Sequence, residues 1–371
     1  MKKLTNLFVL VFLFYTLPAH SFPEMVRHSY FNCTSCHTSP NGGGVLNEYG
    51  RQSDQAVLSM WGTEEEAKPF YGAFKQPTWI DTAIFGRVIQ TAQNNSYVSK
   101  GYFWKMQAEA EAAAKLNSKW TVDLDLGVSP GVLNGLQVTG DSPLLARRYY
   151  LMFRPSENIS IRAGKFMPDY GVYFTEHSIS TRQGLGFGEN QETYNIEYGY
   201  QGENYSGSVT LNLGRPDQTS ALNEKGGIAT ASMYLSDQYK LGWSAYYGTH
   251  DGNSRELTGP YALLGFSTKF YLLAEADLQF KQMAVGPSTQ GLFTYERLGY
   301  ELTQGLQLYL MEQTQIASFA NVGANPFYGF GPGVIWFPRP HFYFKMEVQQ
   351  QLSKDLPSTQ TSGFLSANVY L

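Results

Sequence analysis

The chain is poor in thiols, in charge and in long apolar runs, and each shortage excludes something. Cys33 and Cys36 are the only cysteines in 371 residues. With no second pair, a four-ligand zinc site lacks half its thiols. Charged residues make up only 16% and the net charge is -4, so nothing offers a basic surface to nucleic acid. Beyond the run from Leu7 to Leu17, no segment reaches the ~20 apolar residues that a spanning helix needs. No unit repeats at a fixed period, which argues against a propeller.

Aromatic residues and glycine are plentiful. Tyr 26, Phe 24 and Gly 37 stand beside a mean hydropathy of -0.29. The first residues read as an export signal: Lys2 and Lys3, the apolar run, then Ala19 and Ser21 before a cleavage step near Ser21–Phe22. An uncleaved anchor is the alternative. Export into an oxidising compartment, aromatic richness and mild overall polarity together suit an outer-membrane β-barrel, in which only alternate residues face lipid.

From about residue 78 the pattern has period two. Trp120, Val122, Leu124 and Leu126 alternate with Thr121, Asp123 and Asp125. Leu272, Ala274, Ala276, Leu278 and Phe280 alternate with Glu275, Asp277, Gln279 and Lys281. In 101–115, Tyr102, Trp104, Met106, Ala108 and Ala110 oppose Phe103, Lys105, Gln107, Glu109 and Glu111. The charged face is expected to line a wet lumen, with Arg147 or Arg148 among its cations. About 16 strands are expected, joined by alternately short and long links. Short links include "LNSK", "GEN" and "TQG"; long ones include 129–144, 168–190 and 250–258. The expected fold is all-β: a transmembrane antiparallel barrel over 76–371, preceded by a signal peptide at 1–21 and a small, partly helical segment at 22–75 that plugs it. The location implied is the outer membrane of a Gram-negative-type bacterium, with lipid as one partner and segment 22–75 inside the barrel or on its periplasmic side.

The two cysteines sit in "CTSCH", residues 33 to 37. CxxCH is the attachment signature of c-type haem. Cys33 and Cys36 would hold one covalent haem c and His37 would ligate its iron. A redox CxxC pair is the competing reading, but no βαβ context surrounds it. Candidates for the distal ligand are Met60 and His28, with Met25 also nearby in sequence. Residues 47–68 have helical spacing, with Val57, Met60, Trp61 and Glu64 on one face. "SPNGGGVLNEYGR" reads as a tight glycine turn folding over the haem edge, or as a plain flexible loop.

With Cys33, Cys36 and His37 followed by Pro40, Leu46, Tyr49, Gly50 and Arg51, and then a porin-like barrel, the chain resembles the fused cytochrome–porin family, monohaem outer-membrane cytochromes best known from iron-oxidising bacteria. The resemblance implies electron transfer across the outer membrane. Partners would be periplasmic carriers such as soluble c-type cytochromes and an external donor or acceptor, with iron a candidate. Two further readings stay open: a solute porin with a haem-bearing gate or redox sensor, and a haem-dependent peroxidase-like enzyme. The long link 168–190 is expected to fold inward as a constriction, carrying Asp169, Tyr170, Glu176, His177 and Arg182. Asp169, Glu176 and His177 also have ligand types that suit iron or manganese.

Overall fold

In the computed structural model, the described residues are 22–30, 32–73, 75–95, 97, 99–128, 132–133, 136–137, 144–174, 176, 178–216, 223–319, 326–353 and 359–371. The signal-peptide expectation at 1–21 and the loop residue His177 lie outside them. Sixteen antiparallel strands close into one barrel. They are β1 Ile80–Asn94, β2 Ser99–Lys115, β3 Trp120–Val128, β4 Leu144–Ser156, β5 Ile159–Phe166, β6 Thr193–Gln201, β7 Tyr205–Asn212, β8 Lys225–Ser236, β9 Tyr239–His250, β10 Asn253–Gly265, β11 Phe270–Gln282, β12 Thr289–Thr303, β13 Leu306–Ile316, β14 Phe327–Arg339, β15 Phe342–Ser353 and β16 Gln360–Tyr370. Closure is made by β1 on β16, in register from Phe85↔Tyr370 to Asn94↔Thr361.

The alternation in sequence becomes the two faces of the wall. On β3, Asp123 and Asp125 are buried in the lumen while Val122 and Leu124 are exposed outside. Glu109, Glu111, Glu275 and Asp277 are likewise buried. Exposed Val209, Leu211, Leu298, Leu308, Leu310 and Tyr300 belong to the outer face, an apolar surface too large for water. No described helix is long and apolar enough to cross a membrane. The chain is an outer-membrane barrel in contact with lipid. Its short turns form one rim, the periplasmic one in barrels of this build.

Three expectations need correction. The link expected at 250–258 is a two-residue turn: Asp251 and Gly252 take φ of 50° and 77°, and β10 starts at Asn253. An Asp-Gly pair in left-handed geometry matches the twist of the flanking strands. The second is the outer half of β2. The register shifts at Arg87/Val88, so Gln107 pairs with Arg87 but Lys105 pairs with Val88. The extra residue reverses side-chain parity. Phe103, exposed, and Lys105 therefore stand on the outer face and Tyr102 on the inner, the reverse of the simple alternation. A second bulge, at Asp125/Leu126, lets both Arg147 and Arg148 point inward rather than one of them. Arg147 pairs with Glu109 and Glu192, and Arg148 with Glu111 and Asp125.

The third concerns the plug. The expected helix at 47–68 is an α-helix only over Glu48–Ser53, labelled α1, and continues as a wider turn at Asp54–Leu58. It ends because the barrel rim takes over the backbone: Met60 N–H donates to the Phe337 carbonyl (2.8 Å) and Trp61 N–H to that of Pro338 (3.1 Å). The described residues of this segment meet the barrel at its short-turn rim, where the Tyr71 hydroxyl also donates to the Pro340 carbonyl (2.9 Å). Arg27 Nε donates to the Thr268 carbonyl in the β10–β11 turn (3.0 Å), and Arg27 pairs with Glu301 at 3.0 Å.

One feature of the outer wall is costly. Glu296 on β12 faces Glu312 on β13 directly across the ladder, on the lipid side. Thr294 and Thr314 hydroxyls donate to Glu312 (3.2 and 2.7 Å), while Glu296 Oε2 makes no hydrogen bond. Two carboxyl groups this close at an apolar face share one proton rather than carry two charges, and the pair still costs the ladder stability. Glu296→Gln is expected to raise stability by about 1 kcal/mol, read as a higher temperature for the heat-induced gel shift of the detergent-solubilised barrel.

Candidate functional site

Cys33, Cys36 and His37 lie on a single tight turn, in which the N–H groups of Cys36 and His37 both donate to the Cys33 carbonyl (3.2 and 2.9 Å). Asn32 Oδ1 caps its start by accepting from Thr34 N–H at 3.0 Å. Asn47 locks the other side. Its backbone N–H donates to the Cys36 carbonyl (2.9 Å), and its amide nitrogen donates to the Ser35 carbonyl (3.0 Å). The amide oxygen caps α1 by accepting from Gly50 N–H at 2.8 Å. A Cβ at Gly50 would collide with the Cys36 carbonyl, so α1 lies against this turn only because residue 50 is glycine. Arg51 donates to the Leu46 carbonyl (2.6 Å), and the Tyr49 hydroxyl meets that of Tyr30 at 2.6 Å. The run Leu46, Tyr49, Gly50 and Arg51 thus has a local reason for every member.

The glycine stretch is a turn, not a slack loop. Gly42, Gly43 and Gly44 take φ of 79°, 68° and 65°, successive left-handed residues that side chains resist. The turn brings Val45 back to receive a hydrogen bond from Thr38 N–H (3.1 Å), and His37 bridges Leu46. A Cβ on Gly44 would sit 2.5 Å from the Glu111 carboxylate, so the turn is pressed against the barrel wall.

Both cysteines and His37 line one cavity, with an empty volume of about 1270 Å³. Met25, Tyr30 and Leu46 of the plug bound it, and Pro40 lies at its edge. The wall of β7 to β9 contributes Ser206, Ser208, Thr230, Ser232 and Lys240. Asp169, Gly171, Val172 and Tyr173 of the inward loop form its outer boundary. Gln201, at the periplasmic end of β6, ties the motif down: it accepts from the Thr34 hydroxyl (2.8 Å) and donates to the Pro40 carbonyl (3.0 Å).

Burial sets the protonation states. It pushes the pKa of His37 down to about 4, so the imidazole is neutral at pH 7. His37 Nδ1 is buried and makes no hydrogen bond. Burial also pushes the Cys33 thiol up, and Cys36 to about 11 with Cys33 adding to the effect. Reactive dithiol pairs have lowered thiol pKa values, the opposite of this environment.

Met60 and His28 do not line the cavity. Met60 packs at the rim beside Gly305, and His28 Nε2 lies 4.0 Å from Glu301. Met25 does line it. The loop residues divide into separate tasks. Asp169 accepts from the Ser208 and Thr230 hydroxyls (2.9 and 2.8 Å). The Tyr170 hydroxyl donates to Asp277 at 2.7 Å. Glu176 pairs with Arg297 (2.5 Å) and Lys345 (2.7 Å), pinning the loop to the far wall. Arg182 donates to the Tyr170 carbonyl at 2.8 Å and lies over the Tyr173 ring. The link does fold inward. Asp169 and Glu176 hold different partners, and among the described residues no three of His, Cys, Asp and Glu gather as for a metal ion. Lys240 and Asp54 also line the cavity. Neither belongs to a local motif, so no sequence pattern singled them out.

No family model and no curated protein matches the chain. Solved outer-membrane barrels do. OprB of Pseudomonas putida superposes with a TM-score of 0.60 at 10% identity, over 79% of this chain and 94% of its own. The outer membrane channel DcaP of Acinetobacter baumannii gives 0.57 at 13% identity, over 80% and 99%. An anion-selective porin from Comamonas acidovorans gives 0.57 at 9% identity, over 79% and 99%. At these identities the likeness is one of fold: a porin-like outer-membrane barrel.

Proposed function

We propose that this chain is an outer-membrane c-type cytochrome that moves electrons between an extracellular redox partner and periplasmic carriers. Its one haem c would be held by thioether bonds from Cys33 and Cys36, with His37 on the iron. The observation that carries the reading is convergence: the only two thiols and the adjacent imidazole all open into one large cavity inside the barrel. The plug, β7 to β9 and the inward loop all border that cavity beside the two thiols and the imidazole. Neutral His37 is in the protonation state that a metal ligand needs. A haem there supplies one-electron exchange. The residues around it position and shield. Asn47 and Gly50 hold the attachment turn, Leu46 and Val172 exclude water, and the plug and inward loop bound the cavity below and above. Membership in the fused cytochrome–porin group, and iron as the outer partner, belong to this proposal.

Met25 is the thioether we assign to the distal position, in place of Met60 and His28, because it alone of the three lines the cavity. Met25→Leu should keep the covalent haem yet lose the near-infrared sulfur-to-iron band and gain carbon monoxide binding. Met60→Leu should change neither. An unchanged spectrum in Met25→Leu would remove the assignment.

A second reading, a solute porin with a haem-bearing gate, is favoured by the solved neighbours described as a channel and a porin. Planar-bilayer recording separates the two. The electron conduit expects little conductance in either redox state, whereas the gated porin expects conductance that switches on reduction.

A further inference from the structure

A second, smaller cavity opens at the extracellular side of the inward loop, with an empty volume of about 430 Å³. Its walls are the outer ends of β6, β7, β9 and β10 together with loop residues from Pro168 to Gln191. Its polar groups do not balance. Glu224 is fully engaged: Arg255 donates to it at 2.5 and 2.8 Å, and the Tyr246 hydroxyl at 2.9 Å. That carboxylate and that guanidinium cancel.

What remains is a set of donors. Arg215 is only 6% exposed, and its Nε is buried with no hydrogen-bond partner; another of its nitrogens donates to the Asn190 carbonyl at 2.5 Å. Gln191 lines the cavity, and its amide oxygen accepts from Gly188 N–H at 2.6 Å, so the NH2 group is the part of that amide left to donate. The Asn212 amide oxygen accepts from Gly214 N–H at 2.7 Å, which fixes that amide in the same sense. Arg215, Gln191 and Asn212 thus line the cavity together, and Arg215 Nε is a buried donor with no acceptor among the described residues. Buried donors left without acceptors are costly, and a cationic donor beside neutral ones matches the oxygens of an anion.

We infer that this outer cavity binds a small oxyanion, a carboxylate or phosphate group, through Arg215, Gln191 and Asn212. The site does not depend on haem. If the proposed electron transfer holds, it also marks where an anionic external partner would sit. Arg182 lies between rings of the two cavities, 6.0 Å from Phe187 of the outer one and 5.3 Å from Tyr173 of the inner one.

The test is isothermal titration of the detergent-solubilised full chain with inorganic phosphate and, separately, citrate, at constant ionic strength in chloride. Binding of one of them identifies which oxyanion the site takes. Arg215→Gln should weaken it at least tenfold, and Asn212→Asp, which puts a repelling charge in the cavity, should abolish it. Lys225→Gln, exposed at the start of β8 and not among the residues that line the cavity, should leave it unchanged. Heat-modifiable migration confirms that each variant is folded, and its absorption spectrum reports haem separately. No binding of either anion to the native chain, or equal binding by a folded Arg215→Gln, overturns the site.

Discussion

The chain carrying Cys33→Ala and Cys36→Ala, expressed in a host that attaches c-type haem, is expected to lose entirely the sharp reduced α and β absorption bands of the native protein. It should still fold as a barrel. The loss is total because no other thiol exists to form a thioether. The barrel survives because its closure rests on the strand ladders and not on two side chains of the plug. The comparison also separates haem attachment from a dithiol redox role. A redox pair needs thiols of lowered pKa, whereas burial raises both here. Bands in the native protein that vanish in the variant establish covalent low-spin haem and favour the conduit. A high-spin spectrum would favour the peroxidase-like reading. A native protein without haem would remove the redox function and leave a porin-like barrel with an unexplained CxxCH.

Local rules carried most of the fold into the sequence. Strand periodicity comes from the pleat, so Asp123 and Asp125 on one face and Val122 and Leu124 on the other could be assigned before any coordinates. The failures came from single-residue events that periodicity cannot register. A bulge beside Arg87 turned Lys105 outward, and one beside Asp125 turned Arg147 and Arg148 both inward. The Asp251-Gly252 turn was visible as a dipeptide, but polar neighbours on both sides disguised it as part of a longer link. At the site, the attachment motif was legible because CxxCH is contiguous. The rest of the cavity is not: Asp169 meets Ser208 and Thr230 across 39 and 61 residues of chain. Met60 lies beyond the helix that the spacing over 47–68 predicts, because hydrogen bonds to the β14 end stop the helix at Leu58.

Asp54→Ala is expected to loosen the plug more than any other single change within it. Asp54 is 3% exposed and ties the β14–β15 turn and the last strand to the plug at once. Its Oδ2 accepts from His341 N–H at 2.7 Å and lies 3.1 Å from that imidazole. Its Oδ1 accepts from the Tyr370 hydroxyl at 2.9 Å. His341 has φ of 62° in the β14–β15 turn, a left-handed backbone that the hydrogen bond to Asp54 helps to hold. Tyr370 closes the last strand on the first. Alanine would strand the buried His341 N–H and Tyr370 hydroxyl, at about 1–3 kcal/mol for each group left unpaired. The neighbouring anchors, Met60 on Phe337 and Arg27 on Thr268, are backbone-directed and remain. The barrel, which owes its closure to strand ladders, should keep its heat-modifiable migration. The plug should become cleavable by protease added from the periplasmic side, and single-channel conductance should rise. Asp54→Asn, which keeps one acceptor oxygen, should fall between the two. If Asp54→Ala resists protease as the native chain does and conducts no more, the plug is held by its rim contacts and apolar packing alone, and Asp54 serves the β14–β15 turn rather than the closure of the lumen.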